Sequence, residues 1–532
     1  MGLTTSKKSN STTESLCKKL GEVQIQGTSR RTRVATPIGT DSCSTGKSDG
    51  HTITINMLPD DTLLDIFDSF LSDDDAEKYR FSPVWTWHEL VHVCRRWRQL
   101  VLGSPGRFNL LILSTHGFPL REILDCWPPF PIVIQYHQIN HTFTLIDEDS
   151  VFAALEHHDR MRQIDLCLAG PQFDKVVTAM QEPLPTLTHL TLRCGDRDEY
   201  GNEIGVQVDG GPSALPSGFL GGSAPGLTYL IMEGVPFPSL PALLSSANDL
   251  FHLQLRFIPE DGYISPEAMA ACLGALPKLE SLCIGYSDIF LLDQLFVPPA
   301  TRTLLPALTN IVLCASSDYL VELFSRIDSP QLKKICVKYL DLPCDFQISQ
   351  FFDFINRSNN PEIALCRHAD LVFSSSNDII FAIYSRPEID LRPVSVYINY
   401  EEEIGRQLSS MAQVLSPQVV TLSRVVHLNL TQSEANEGHY NAEWLHFLRQ
   451  FSAVRTLLAC PESARGIALA LEDITGEMVV EVLPVLDLIY LHGQPESSIE
   501  KFLATRRLFG HPVTKIDTYA EFDERVKSYV TP

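Results

Sequence analysis

No stretch of this 532-residue chain approaches eighteen consecutive apolar residues, so nothing in it is long enough to cross a bilayer as a helix. Positive charge is scarce. The chain has 42 Lys and Arg against 65 Asp and Glu, and its net charge of −23 argues against general binding to nucleic acid or anionic membranes. The first thirty residues lack a hydrophobic core segment, so no secretory signal is expected. The 13 cysteines form no C-x-x-C pair, and several sit inside apolar runs, as Cys283 does between Leu282 and Ile284. That is the habit of buried thiols in a reducing compartment, and it points away from disulfides or a zinc cluster. No phosphate-binding glycine loop, nucleophile elbow or pair of catalytic carboxylates stands out. The expectation is therefore a non-enzyme with no cofactor, no metal and no catalytic residue, located in cytoplasm or nucleus.

What the chain does have is a globular composition, 44% hydrophobic and 20% charged, and a length that suits two or three structural units. Residues 1–50 are rich in Ser, Thr, Gly and Lys, and read as a disordered basic leader. Met1-Gly2-Leu3-Thr4-Thr5-Ser6-Lys7-Lys8 fits an N-myristoylation pattern at Gly2. One acyl chain with lysines behind it would give weak membrane association.

Residues 56–113 carry two helical runs. In the first, Leu58 precedes Pro59, which suits a helix start, and Asp60 and Asp61 complement the helix dipole. Leu63, Ile66, Phe67 and Phe70 follow at helical spacing, and Leu64 and Leu71 widen the stripe. In the second, Leu90, Val93 and Trp97 are expected on one face and Arg95, Arg96 and Arg98 on another. So small a unit has too little core to stand alone. Leu58-Pro59, the Leu64/Ile66-Phe67/Leu71 pattern and Val93-Cys94-Arg95-Arg96-Trp97 together resemble an F-box. That family's three-helix module docks onto the Skp-type adaptor of cullin-RING ubiquitin ligases. The acidic stretch from Ser72 to Trp85 is longer than the family's usual link, and with the following block it resembles the large F-box families of basidiomycete fungi. The resemblance implies an adaptor-binding surface formed or supported by Leu58, Pro59, Leu64, Phe67, Leu71, Val93 and Trp97.

The same stretch holds His88-Glu89-Leu90-Val91-His92, the H-E-x-x-H spacing of zinc proteases. Three arginines within two turns of a dication, at Arg95, Arg96 and Arg98, speak against metal chemistry there.

After a proline-broken connector over residues 114–160, one phrase recurs: apolar-x-x-apolar-x-apolar. It begins at Met161, Leu187, Leu227, Leu250, Leu279, Leu308, Leu332, Val425, Val454 and Leu486. From Leu227 to Leu332 the steps are 23, 29, 29 and 24 residues. This is the period of leucine-rich repeats, although their Asn or Cys position is missing. Each unit contributes a strand and a return, and the units stack because none can bury its apolar face alone. The expected fold is therefore α/β: a small all-α three-helix F-box, then an irregular leucine-rich-repeat-like solenoid over residues 161–515 and a tail over 516–532. Two places break the rhythm. Gly195 to Gly226 reads as an insertion, and residues 369–400 read as closely spaced strands that add antiparallel pairing. Ile499 to Val513 reads as a closing amphipathic helix stopped by Gly510 and Pro512, again like the fungal F-box proteins.

In the recurring phrase, side chains beside and between the closing leucines face the concave sheet. These positions hold His189, Arg193, Tyr229, Glu233, His252, Gln254, Arg256, Asn310, Lys334 and Lys338. They make the candidate target-binding surface, and their cations suggest a protein target of acidic or phosphorylated character. The function expected is that of a substrate receptor in a Skp-cullin-F-box ligase. A non-catalytic repeat scaffold without a ligase role is the alternative.

Overall fold

The computed structural model describes residues 55–71, 86–108, 110–117, 119–125, 127–137, 142–195, 213–287, 301–340, 349–358, 360–374, 378–385, 393–399, 404–415, 422–432, 440–474, 476–517 and 519. The leader with Gly2, the link from Ser72 to Trp85, most of the Gly195–Gly226 insertion and nearly all of the tail lie outside them. The chain divides into two compact units, residues 1–63 and 64–532.

In the first unit a 3-10 turn over Ile55–Met57 leads into a helix. The Leu58 N–H donates to the Ile55 carbonyl at 3.3 Å, and Leu63 N–H reaches back to the Pro59 carbonyl. Pro59 thus sits just before a first turn that carries Asp60 and Asp61, where the helix dipole favours them.

The second unit opens with the rest of that helix, α1 (Asp60–Leu71), followed by α2 (Thr86–Val93) and α3 (Arg95–Leu102). Phe67 is fully buried, with its ring centroid 4.7 Å from that of Trp97 and 6.3 Å from that of Phe108. Arg107 clamps α1 from outside, donating to Asp68 and Asp65, both at 2.6 Å. The second run is not one helix. Cys94 is extended (φ −157°, ψ 170°) and its Sγ accepts the Trp97 N–H at 3.5 Å, so it ends α2 and caps α3. Leu90, Val93 and Trp97 therefore do not share a face: Leu90 is buried, Val93 is 59% exposed, and Trp97 belongs to the next helix.

Eighteen strands follow among the described residues: β1 (Ile112–Ser114), β2 (Ile132–His137), β3 (Met161–Leu168), β4 (His189–Cys194), β5 (Tyr229–Glu233), β6 (His252–Ile258), β7 (Ser281–Tyr286), β8 (Thr303–Leu304), β9 (Asn310–Ala315), β10 (Ile327–Asp328), β11 (Lys334–Tyr339), β12 (His368–Phe373), β13 (Asp378–Tyr384), β14 (Val394–Asn399), β15 (His427–Gln432), β16 (Thr456–Ala459), β17 (Leu488–Leu491) and β18 (Thr514–Ile516). Sixteen of them form one sheet, and β8 pairs with β10 apart from it. Helices such as Gly170–Ala179, Pro266–Gly274, Ser317–Arg326 and Pro461–Glu472 supply the long returns that parallel neighbours require. The result is a mixed α/β, leucine-rich-repeat-like sheet. It starts before residue 161: β1 lies at residues 112–114, and β2 lies in the segment the sequence marks as a connector, where Ile132-Val133-Ile134 is its buried strand.

The phrase maps onto this sheet with a fixed offset. For every phrase from Leu187 to Leu486 the strand begins two residues after the phrase does. Leu190, Leu192, Leu253, Leu282, Ile311 and Ile335 are at most 1% exposed, so the closing apolar pair of each phrase supplies the core. A common main-chain device sets the register. Thr228 and Tyr229 both donate to the Thr188 carbonyl, Phe251 and His252 to Thr228, Glu280 and Ser281 to Phe251, Thr309 and Asn310 to Glu280, and Lys333 and Lys334 to Thr309.

The extra strands do add antiparallel pairing, though inside the sheet. Its order there is β11-β14-β13-β12-β15, with β13 antiparallel to both neighbours while β14 and β12 run parallel to β11 and β15.

At the far end a helix spans Glu500–Leu508, and Gly510 follows in the left-handed region at φ +79°, where a side chain would be strained. Arg506 on this helix is completely buried. Its guanidinium donates to the carbonyls of His511, Val479, Val482, Pro484 and Leu486, all between 3.2 and 3.5 Å. These are loop and helix-end acceptors with few other partners, so one cation closes the last repeat. Arg506→Met should leave several of them unpaired and cost about 3 kcal/mol or more. Hydrogen exchange should show protection lost over residues 476–517 while β4 to β7 keep theirs.

Candidate functional site

The pairing register lines up side chains on the sheet face opposite the buried leucines. Three rows run across the strands there, the middle one through Thr191, Ile231, Gln254, Cys283, Val312 and Cys336.

The first row includes His189, Tyr229 and His252, which are direct cross-strand partners. Their rings stack: 5.6 Å and 28° for His189 with Tyr229, then 4.2 Å and 9° for Tyr229 with His252. Thr188 Oγ1 lies 2.9 Å from His189 Nδ1. Burial, helped by the nearby Arg162 charge, pushes the His189 pKa below its ordinary value. The row continues through Ser281, Asn310 and Lys334.

The third row alternates in charge. Arg193 stands between Asp165 (3.1 Å) and Glu233 (3.2 Å), and Arg256 reaches Glu233 from the other side at 3.8 Å. Gln254 donates to Glu233 at 2.7 Å, and His137 Nε2 lies 3.0 Å from Asp165. Arg256 also sits over the Phe257 ring, 4.9 Å from its centroid, beside the bulge that Phe257 makes at φ +53°. Arg193 and Arg256 are therefore spoken for. They bracket a half-buried carboxylate, and removing one would leave Glu233 undercompensated. Lys334 and Lys338 differ: among the described residues neither has a carboxylate partner.

The same first row resumes at the other end of the sheet with Tyr384, His368 and His427, side chains that the phrase-based reading did not select. His368 and Tyr384 stack at 5.3 Å and 9°, and His368 and His427 at 4.3 Å and 18°. Tyr384 Oη donates to Asp370 at 2.8 Å, Asn429 donates to the same carboxylate oxygen at 3.3 Å, and His427 Nδ1 lies 2.7 Å from Thr456 Oγ1. A signal existed for His427, which holds the third place of its phrase just as His189, Tyr229 and His252 do. His368 and Tyr384 lie in strands without the phrase.

The other expected surface divides. In the smaller unit Pro59 is exposed, Leu58 is half-buried, and Met57 (62% exposed) and Ile55 (46%) join them unselected by the sequence reading. In the larger unit Val93 is exposed and Leu64 and Trp97 are half-buried, while Phe67 faces its own core. Ile66, expected on the buried stripe, is 41% exposed. The Leu71 side chain lies outside the described residues, as do those of His88 and Glu89. Among the described residues no three His, Cys, Asp or Glu side chains are grouped to hold a metal ion.

No family model matches the chain, and no curated protein does. Among solved structures it is similar to the leucine-rich repeat-containing protein LegL7 from Legionella pneumophila, at 12% identity over 71% of this chain and 99% of that one, with a TM-score of 0.26. It is also similar to a chain from the Rad7 and Elc1 complex in yeast, at 11% identity over 97% of this chain and 100% of that one, with a TM-score of 0.28. Scores this low leave both likenesses without weight for fold or function.

The stacked histidines give a pH prediction. Burial, then the His368 neighbour, lowers the His427 pKa from 6.5 to about 4, and burial lowers that of His368. The unfolded chain thus binds more protons than the folded one below pH 6.5, so stability should fall as pH drops from about 6.5 toward about 4. His427→Phe should flatten this acid limb in a denaturation series. An unchanged pH dependence would remove His427 as its source.

Proposed function

We propose that the chain is a substrate-recognition subunit of a cullin-RING ubiquitin ligase. In this reading the helices over residues 56–113 dock a Skp-type adaptor, and the repeat sheet holds a protein target. Ubiquitin transfer is then the work of partner enzymes, with this chain supplying proximity and no catalytic residue. The observation that carries the docking half is the exposure of Val93 and Ile66 on helices whose neighbours Phe67 and Leu90 are buried. The small aromatic core of Phe67, Trp97 and Phe108 is already closed, so Val93 is free to serve a partner. The F-box-like block Val93-Cys94-Arg95-Arg96-Trp97 supports the same reading. Its cysteine has a physical duty here as the cap of α3.

The target half rests on the sheet face. Aromatic and arginine side chains are common anchors of protein interfaces, and this face presents them in register across many strands. Gly2, if acylated, would add a weak membrane tether in front of the adaptor-binding helices.

Capture of a Skp-type adaptor from lysate tests the proposal. Val93→Asp alters an exposed side chain and should leave thermal stability nearly unchanged, yet reduce adaptor capture at least tenfold. Replacing Leu58 and Pro59 together with Ala should abolish it while the repeat unit stays folded. Full capture by both variants would rule the docking assignment out and leave a repeat scaffold.

A further inference from the structure

The centre of the sheet face differs from its ends. Toward β2 the arginines of the third row have acids: Arg193 meets Asp165 and Glu233, and Arg256 meets Glu233. Toward β15 the face is neutral imidazole, phenol and amide around Asp370. Between them, β11 presents Lys334, exposed, and Lys338, half-buried, with no carboxylate partner among the described residues. On a chain of net charge −23 that is an unusual place to leave two cations uncompensated.

Their spacing is informative. Four residues apart on one strand, they share a face and stand about 13 Å apart at 3.3 Å per residue. One phosphate group is far too small to bridge that distance. An extended peptide running along β11 has the same rise, so acidic side chains four residues apart would meet both lysines. The floor between the lysines is neutral and partly apolar. Cys336 lies midway, with Val312 beside it on β9 and Ser395 on β14. Val312 is 40% exposed. Burial pushes the Cys336 thiol up, and that of Cys314 beside Lys338 to about 11, so neither places a negative charge there. Asn310 flanks Lys334, and Tyr397 flanks Lys338.

We infer that β9, β11 and β14 form a binding track for an extended acidic segment of a partner protein, of the pattern acidic-x-apolar-x-acidic, with Lys334 and Lys338 taking the two carboxylates and Val312 and Cys336 taking the apolar side chain. This rests on the reading of the sheet face as a target surface and gives that target a chemical form. It moves recognition away from Arg193 and Arg256, whose charge is consumed by Glu233 and Asp165.

The test uses the full chain and labelled nine-residue peptides with Gly and Ser flanks around Glu-Ala-Leu-Ala-Glu, read by fluorescence anisotropy. Lys334→Glu with Lys338→Glu should weaken binding about tenfold or more, since two ion pairs are turned into repulsions. The double variant should in turn gain affinity for the Lys-Ala-Leu-Ala-Lys peptide, a rescue that a merely unfolded protein would not show. The neutralised pair, Lys334→Gln with Lys338→Gln, should fall between. A control peptide with its two Glu adjacent should bind at least fivefold more weakly to the natural chain. Absence of binding to the natural chain, equal binding by the charge-reversed variant, or equal binding of the adjacent-Glu peptide would each overturn the track. Adaptor capture is indifferent to these substitutions, so failure of the ligase reading shows up separately.

Discussion

Along most of the sheet, one main-chain carbonyl of a repeat accepts two successive N–H groups of the next. Thr188, Thr228, Phe251, Glu280 and Thr309 provide it in turn, and Arg367, Val426 and Arg455 do so at the far end. The accepting residue is the second of its phrase wherever the phrase is present, so the side chain there is free to vary. What cannot vary is the offset, because a one-residue slip would send Leu190 and Leu192 to solvent and His189 and Arg193 into the core. The rows on the open face inherit their alignment from this contact.

Alignment turns separate substitutions into collective chemistry. Tyr229 has a histidine on either side only because three repeats place their third phrase residue in one line. Glu233 meets two arginines for the same reason. The face is consequently zoned along the solenoid: a self-neutralised charged network, then a stretch whose two lysines have no carboxylate partner among the described residues, then a second stack of neutral rings. Where acids and bases alternate at close range little net field is left for a partner, whereas lone lysines keep theirs.

Much of this was legible from the residues alone. The phrase located the strands, its closing pair named core positions such as Leu253 and Ile311, and the face-pointing set from His189 to Lys338 lies in the rows described. Three things were not. Periodicity cannot see a cap, so Cys94 hid the break between α2 and α3 inside an otherwise continuous helical pattern. Formal charge cannot see a neighbour on another strand, so Arg193 and Arg256 counted as available cations until the register brought Glu233 between them. Adjacent arginines on a charged helix are indistinguishable in sequence, yet Arg506 is fully buried against five carbonyls while Arg507 is exposed.

The reversed strand β13 has a consequence for how the chain can fold. A repeat array ordinarily assembles like a zipper, each unit adding to its sequence neighbour. Here Ile335 pairs with Val394 and His368 pairs with His427, each 59 positions on, against phrase steps of 23 to 29 in the regular part. The two closures overlap, since 368 lies inside the first and 394 inside the second. Each doubling of loop length adds only about 0.6 kcal/mol of closure entropy, so the thermodynamic burden is small. The kinetic burden is larger, because non-local pairing slows folding. Interlocked in this way, the repeats before β11 and after β15 are joined by a clasp that must close as a whole. That clasp couples the repeats on its two flanks, where a plain solenoid could part between any two units.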